Sequence, residues 1–491
     1  MADHTSGNGH RAPASGPAGR VREAMAASDA VIWEIEHDPL LRSTILAVGL
    51  FDRPPDWTRL VARMERAVLE VPRLGQRVVR APLGLGPPRW VTDPDFDLGY
   101  HLRRVQAPPP GDLASVLAVA EPIAMAAFDR ERPLWEFTLV EGLADGRAAL
   151  VQKVHHSLTD GVGGVQLALA LLDDRPDVPI DAPAPPVHGR PARLPGPGEL
   201  VGRWAAHRLG EAARVATSLP RTISRFAPRI GALAPSAWKL LTPVPGPGSP
   251  VLTGRGLTRR LGVLEVPVED LRRAGRAAGG SINDAFMAAV VGGLARYHTL
   301  HAASLEQVRI TMPIDSRREG DDLVGNHFTP VRFPAPADVE DPSERMRALG
   351  SLARAWRREP ALEIVDAVAA GLGLLPTAVT TAVMKRMLTH VDVVCSNVPG
   401  VPSRVWVAGA ELLREYPFAP VSGSALSVTM MSHGEVACIG IACDAAAVSD
   451  PSALCECIHA ALAEVVAVGA GSAVGGGGGG GPAPDPVDAS D

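Results

Sequence analysis

Apolar residues recur three and four positions apart in "TRLVARMERAVLEVPRL", where Leu60, Val61, Met64, Ala67 and Val68 fall on one stripe. That spacing predicts an amphipathic helix from Thr58, brought to an end by Pro72. A different rhythm governs "WEFTLVEGLADGRAALVQKVHH". Two apolar-rich runs flank Asp145-Gly146, the pattern of a β-hairpin turning at those two residues. With "AALVQKVHH" extended, successive side chains alternate faces. Leu150, Gln152, Val154 and His156 then share one face, and Val151, Lys153 and His155 the other.

Further along, "RRLGVLEVPVEDLRRAGRAAGGSINDAFMAAVVGGLARYH" predicts a strand, a helix, and a loop into a second helix. "QVRITMPIDSR" predicts a strand running to Pro313, and "MMSHGEVACIGIACD" another hairpin. The chain divides accordingly: a disordered tail over 1–20, a first αβ lobe over 21–173, and a second over 257–469. Between them, 174–256 opens with a Pro-rich linker and continues as arginines interleaved with Leu, Val, Trp, Ile and Phe. Such a basic amphipathic segment fits either attachment to a lipid surface or a crossover helix clamped between lobes. The Gly-rich acidic end, 470–491, predicts a second disordered tail. The most apolar run, 367–384, is broken by Pro376 and reads as a pair of buried helices rather than a membrane span.

Composition narrows this picture only a little. At about 150 residues per domain, 491 residues allow two or three domains and an ample core. The formal net charge of -6 gives no reason to expect a nucleic-acid partner. All but Lys153, Lys239 and Lys385 of the 48 basic residues are arginine, which we read as compositional bias. Cys395, Cys438, Cys443, Cys455 and Cys457 show no disulfide framework and no C-x-x-C pair, and the N-terminus has no secretory apolar core. The expected setting is reduced and cytoplasmic.

The chemistry concentrates in "QKVHHSLTDGVGGVQ". A neutral imidazole can take a proton near neutral pH, so His156 could deprotonate a hydroxyl or amine as it attacks an activated carbonyl. Two histidines adjacent on a strand point to opposite faces. That weakens a zinc reading with Asp160 and favours one ring facing a cavity while the other anchors the turn. Gly161, Gly163 and Gly164 let the backbone turn sharply into "VQLALALLDD", and Asp160 either caps that helix or pairs with a distant arginine. The spacing from His155 to Asp160 also fits the H-x4-D pattern of glycerol-phosphate acyltransferases, but the hairpin and the doubled histidine do not.

"HHSLTDG" resembles the HHxxxDG signature of the chloramphenicol-acetyltransferase-like superfamily of acyltransferases. "RPLWEFTLVEGL", "SINDAFMAAVVGGL", "MPIDSRREGDDLVGNHFTPVRFP", "SNVPGVPSRVWVAGAEL" and "DAAAVSDPSALCECIHAALAEV" resemble, in order, blocks of the bifunctional wax ester synthase/acyl-CoA:diacylglycerol acyltransferase family. The resemblance runs from about Ser28 to Val465. It implies an α/β fold of two sandwich lobes with the active-site channel between them. It implies transfer of a fatty acyl group from acyl-CoA, as co-substrate without other cofactor or metal, to diacylglycerol or a long-chain alcohol. His156 would be the general base and His155 its neighbour in the motif, with no acyl-enzyme. Asp160 would be structural, with Arg317 as candidate partner, and Gly161 would close the motif. Asn283 and Asp284 would support the site, an ordinary helix cap being the other reading. Pro133, Leu134 and Trp135 would fix the approach to the hairpin or line the acyl channel. Asn397 and Gly400 would lie near that channel, or form a turn only. Peripheral contact with a membrane or lipid droplet fits the same picture. A same-fold enzyme acylating a polyketide, sugar or peptide, and a lipid-binding protein with a vestigial site, are the competing readings.

Overall fold

The computed structural model describes residues 24–80, 87–158, 171–179, 248–315, 328–359 and 376–474, with single positions at 198, 202, 242 and 372. In the first half, α1 (Ala27–Ile35), β1 (Thr44–Phe51), α2 (Trp57–Glu70), β2 (Gln76–Val79) and β3 (Arg89–Thr92) come first. They are followed by α3 (Leu98–His101), β4 (Leu102–Gln106), α4 (Leu113–Met125), β5 (Trp135–Glu141) and β6 (Ala148–His155). The second half begins with β7 (Arg259–Pro267), α5 (Val268–Ala277), α6 (Ile282–Leu300), β8 (Gln307–Asp315), β9 (Phe328–Pro336) and α7 (Pro342–Arg357). It ends with α8 (Thr377–Thr389), β10 (Val393–Val398), β11 (Trp406–Val407), β12 (Ala410–Phe418), β13 (Leu426–His433), β14 (Val436–Asp444) and α9 (Pro451–Val474).

Two six-stranded sheets organise these elements, in the orders β11-β12-β1-β6-β5-β4 and β7-β14-β13-β10-β8-β9. The expected hairpin is β5–β6, with Trp135 opposite Val154 and Glu136 opposite Lys153. Asp145 and Gly146 both take positive φ at its turn. β1 lies between β6 and β12, antiparallel to both, so Thr44 faces His155 and Leu46 faces Phe418. The stretch 257–469 therefore does not stay in one lobe. Unpaired backbone groups along β1 need a partner strand, and β12 supplies them from more than three hundred residues away.

Both faces of the first sheet are buried at β6, whereas the edge strand β4 is exposed after Leu102. Leu150 and Val154 join Trp33, Leu60, Met64 and Trp135 under α2. Leu46, Val48, Val151 and Tyr416 meet Val116 and Leu117 of α4 and Cys438 and Ala442 of β14 in a cluster that joins the lobes. Burying each such side chain contributes roughly 1.5–3 kcal/mol. In the second lobe α6 is buried on every side from Asp284 to Leu294 and packs against α9, where a Cβ on Gly293 would lie 2.5 Å from the Ile458 Cα.

Of the apolar run, the residues before Pro376 lie, except for 372, outside the described residues; after Pro376 it begins α8, which rests on α1 with Val379 exposed and with Thr380 and Met387 as its buried residues. One boundary changes. α9 continues to Val474, past the expected start of the tail at 470. α9 is also long and apolar enough to cross a membrane, but Leu454, Ile458, Leu462 and Val465 are buried in the second lobe's core. The linker and basic segment lie almost wholly outside the described residues.

Candidate active site

At the doubled histidine that ends β6, the backbone N–H groups are taken by the residues just before the two neighbouring strands, β5 and β1. His155 N–H donates to the Leu134 carbonyl (3.0 Å) and His156 N–H to the Ser43 carbonyl (2.8 Å). The chain then turns, with Leu158 N–H donating to the His155 carbonyl at 2.9 Å.

The two rings occupy different surroundings. His155 is fully buried, edge-on to Trp33 and Phe128. Its Nδ1 accepts the Ser157 N–H at 3.0 Å and lies 2.7 Å from the Ser157 Oγ. An accepting Nδ1 leaves the ring proton on Nε2, and Nε2 lies 3.0 Å from Glu36 Oε2. His156 is half-buried just past the strand end.

Glu36, just past the end of α1, ties the arrangement together. Its Oε1 accepts the Ser43 N–H at 2.5 Å while its Oε2 faces His155. One carboxylate thus lies against the His155 ring and holds the residue whose carbonyl holds the His156 backbone. Burial pushes the Glu36 carboxyl up, but the His155 ring, the Ser43 N–H and the nearby Arg130 outweigh it, and the group sits below its ordinary value. Arg130 lies over the Trp33 ring at 3.8 Å and donates to the Trp33 carbonyl. Neither Glu36 nor Ser43 carries a local motif. Only the fold brings α1 against the end of β6.

Pro133, Leu134 and Trp135 are buried at the start of β5, with Leu134 and Trp135 in the core of the first lobe. Trp135 Nε1 donates to the Leu74 carbonyl at 2.8 Å, and its ring stacks on His101 at 4.6 Å. Together with the Leu134 carbonyl on His155, they secure the approach to the hairpin. Lys153, one turn of the pleat before His155, is also fully buried, a feature its strand position did not reveal. Its Nζ lies 3.3 Å from Glu136 Oε1 and 4.1 Å from the Phe128 ring centroid. Burial lowers the ammonium's proton affinity and Glu136 opposes the effect.

The remaining candidates lie in the other lobe. Asp284 is buried in the first turn of α6 and forms a capping box with Ser281: Ser281 N–H donates to Asp284 Oδ2 at 2.9 Å. Asn283 Nδ2 reaches the Met312 Sδ on β8 at 3.7 Å. Asn397 is an exposed residue of β10, opposite Met430. Gly400 follows that strand so closely against β13 that a Cβ there would lie 1.7 Å from the Ser432 carbonyl oxygen. Asp160, Gly161 and Arg317 lie outside the described residues. Among the described residues no group of three or more His, Cys, Asp or Glu could hold a metal ion. The five cysteines are free. Burial pushes the Cys395 and Cys438 thiols up to about 12.

Two αβ lobes joined by a swapped strand, with a doubled histidine ending a strand of the first sheet, define the two-lobe acyltransferase fold of the chloramphenicol-acetyltransferase and condensation-domain type. The fold aligns with the solved wax ester synthase/diacylglycerol acyltransferase of Marinobacter aquaeolei VT8 at a TM-score of 0.61 and 23% identity, over 91% of this chain and 100% of that one. It also aligns with the starter condensation domain of rhizomide synthetase at a TM-score of 0.55 and 13% identity, over 91% and 94% of the two chains. Residues 25–286 match the wax ester synthase/diacylglycerol acyltransferase catalytic domain, and 324–465 match the C-terminal domain of the same family. A putative diacylglycerol O-acyltransferase of Mycobacterium tuberculosis is 36% identical over 470 residues, covering 93% of this chain and 94% of that protein. The chain belongs to the wax ester synthase/diacylglycerol acyltransferase family and is an acyltransferase.

Proposed function

We propose that the protein transfers a fatty acyl group from acyl-CoA to the hydroxyl of diacylglycerol or of a long-chain alcohol, with His156 as general base. The observation that carries this reading is the division between the two rings. His155 is fully buried against Trp33, Phe128 and the Glu36 carboxylate, while His156 is half-buried just past the strand end. His156 takes the acceptor's proton as the alkoxide oxygen attacks the thioester carbonyl. The tetrahedral adduct collapses with loss of the CoA thiolate, which recovers the proton, and triacylglycerol or wax ester leaves with free CoA. Direct attack needs no acyl-enzyme, and the raised thiols make poor nucleophiles for one. The reaction needs no cofactor beyond its acyl-CoA co-substrate. Because both acceptors are insoluble in water, the cytoplasmic protein would meet them at a membrane or lipid-droplet surface. Purified protein is incubated with palmitoyl-CoA and either diacylglycerol or hexadecanol, following CoA release. His156→Ala should lower the rate by about 10²–10⁴. No release with either acceptor from folded wild-type protein would sink the proposal.

A further inference from the structure

A shallow cleft, open to solvent, lies on the seam between the lobes. One wall is the start of β1 with Arg42, Thr44 and Leu46, and the end of α4 with Ala124 and Met125. The other wall carries Arg259 and Leu261 of β7 together with Leu257, the end of β12, and Ala442 of β14. No acidic residue lines it. The cleft abuts the catalytic strand end, since Thr44 pairs with His155 and Ser43 holds the His156 N–H.

The two guanidiniums are held by their backs. Arg42 Nη1 donates to the Met125 carbonyl at 2.6 Å. Arg259 Nη1 donates to the Gly256 carbonyl at 2.9 Å and lies 3.1 Å from Asp444 Oδ2. Among the described residues the Nε and Nη2 groups of both arginines have no protein partner. Asp444 offsets Arg259 only partly, because its oxygens also accept the Gly256 and Ala446 N–H groups. Burial lowers the Arg259 guanidinium's proton affinity, Asp444 opposes this, and repulsion from Arg42 adds to it. Two like charges thus face one partly desolvated cleft whose other lining residues include Leu46, Leu257, Leu261 and Phe418. Planar forks with free N–H groups are the donors that grip a phosphate bidentately.

We propose that this cleft is a phosphate site, in which Arg42 and Arg259 hold a phosphate of the acyl-CoA donor while its apolar wall receives the pantetheine arm. This assignment rests on the proposed function and names the part of the chain that binds the donor. A lipid phosphate offers the same chemistry, so the test must separate the two sources.

Calorimetric binding of free CoA needs no acceptor and no turnover. Arg42→Gln should weaken CoA binding about tenfold or more, and Arg42→Lys, which keeps the charge without the fork, by less. Palmitoyl-CoA KM should rise by the same factor with kcat within twofold. Kinetics with the palmitoyl thioester of N-acetylcysteamine, which has no phosphate, should match wild type. Unchanged CoA affinity in folded Arg42→Gln overturns the proposal, as does equal damage with the phosphate-free donor. Loss of binding to phosphatidic-acid vesicles with CoA affinity intact also overturns it, assigning the cleft to lipid. If wild type binds CoA through Arg42 but acylates neither alcohol, the proposed function fails and the phosphate site stands.

Discussion

Glu36 Oε2 and His155 Nε2 face each other at 3.0 Å across the join between α1 and the end of β6. The other oxygen of the same carboxylate holds Ser43, whose carbonyl holds the His156 N–H. The clamp makes Glu36 a positioning residue for both histidines.

Replacing Glu36 by Gln should cost about 1–3 kcal/mol of stability at neutral pH. It should also lower kcat by about 10- to 100-fold through a shifted His156. The folded carboxyl sits below its ordinary value. Its contribution is therefore complete above the ordinary carboxylate range and is lost as pH falls through the folded value. Denaturant titrations of both proteins should show the gap narrowing below about pH 4. A gap that stays constant into acid would assign the loss to packing.

Lys153 and Glu136 should respond unequally to neutralisation. Glu136→Gln leaves the fully buried ammonium without its carboxylate and should cost about 3 kcal/mol or more. Lys153→Met removes the buried charge, keeps the contact with Phe128, and leaves Glu136 with Arg103 at 3.7 Å. That change should stay within about 1 kcal/mol of wild type. Thermal melts of the two variants decide the order.

Asp284 and Asn283 separate capping from catalysis. Asp284→Ala removes one half of the capping box on α6 and should cost about 1 kcal/mol. Asn283→Ala should change stability by less than about 0.5 kcal/mol. A fall in kcat for Asn283→Ala without a change in melting temperature would place its amide at the substrate.

Gly400→Ala should destabilise the protein by about 2 kcal/mol or more, because its Cβ would collide with the Ser432 carbonyl. A melting temperature equal to wild type would mean that the turn after β10 can move away from β13 freely.

Local physics made much of this protein legible. The helical stripe from Leu60 to Val68 became α2, and the alternation from Trp135 to His155 became the hairpin with its turn at Asp145 and Gly146. The runs around Leu264, Phe286 and Cys438 became β7, α6 and β14. Such elements are written in residues a few positions apart, where period and turn chemistry suffice. The family blocks were equally legible because each is a short contiguous string.

Only the tertiary structure paired β12 with β1, buried Lys153, set Arg42 opposite Arg259, and brought Glu36 to His155. None of these has a sequence period. A strand edge accepts any strand with the right pattern, and a charge on a strand looks the same whether its face meets water or a helix. Partners dozens to hundreds of residues apart are chosen by which surfaces the whole chain can bury together. The sequence by itself thus marked the short stretch that carries the histidines, and the folded chain decided that His155 is fully buried beside Glu36 and His156 half-buried at the strand end.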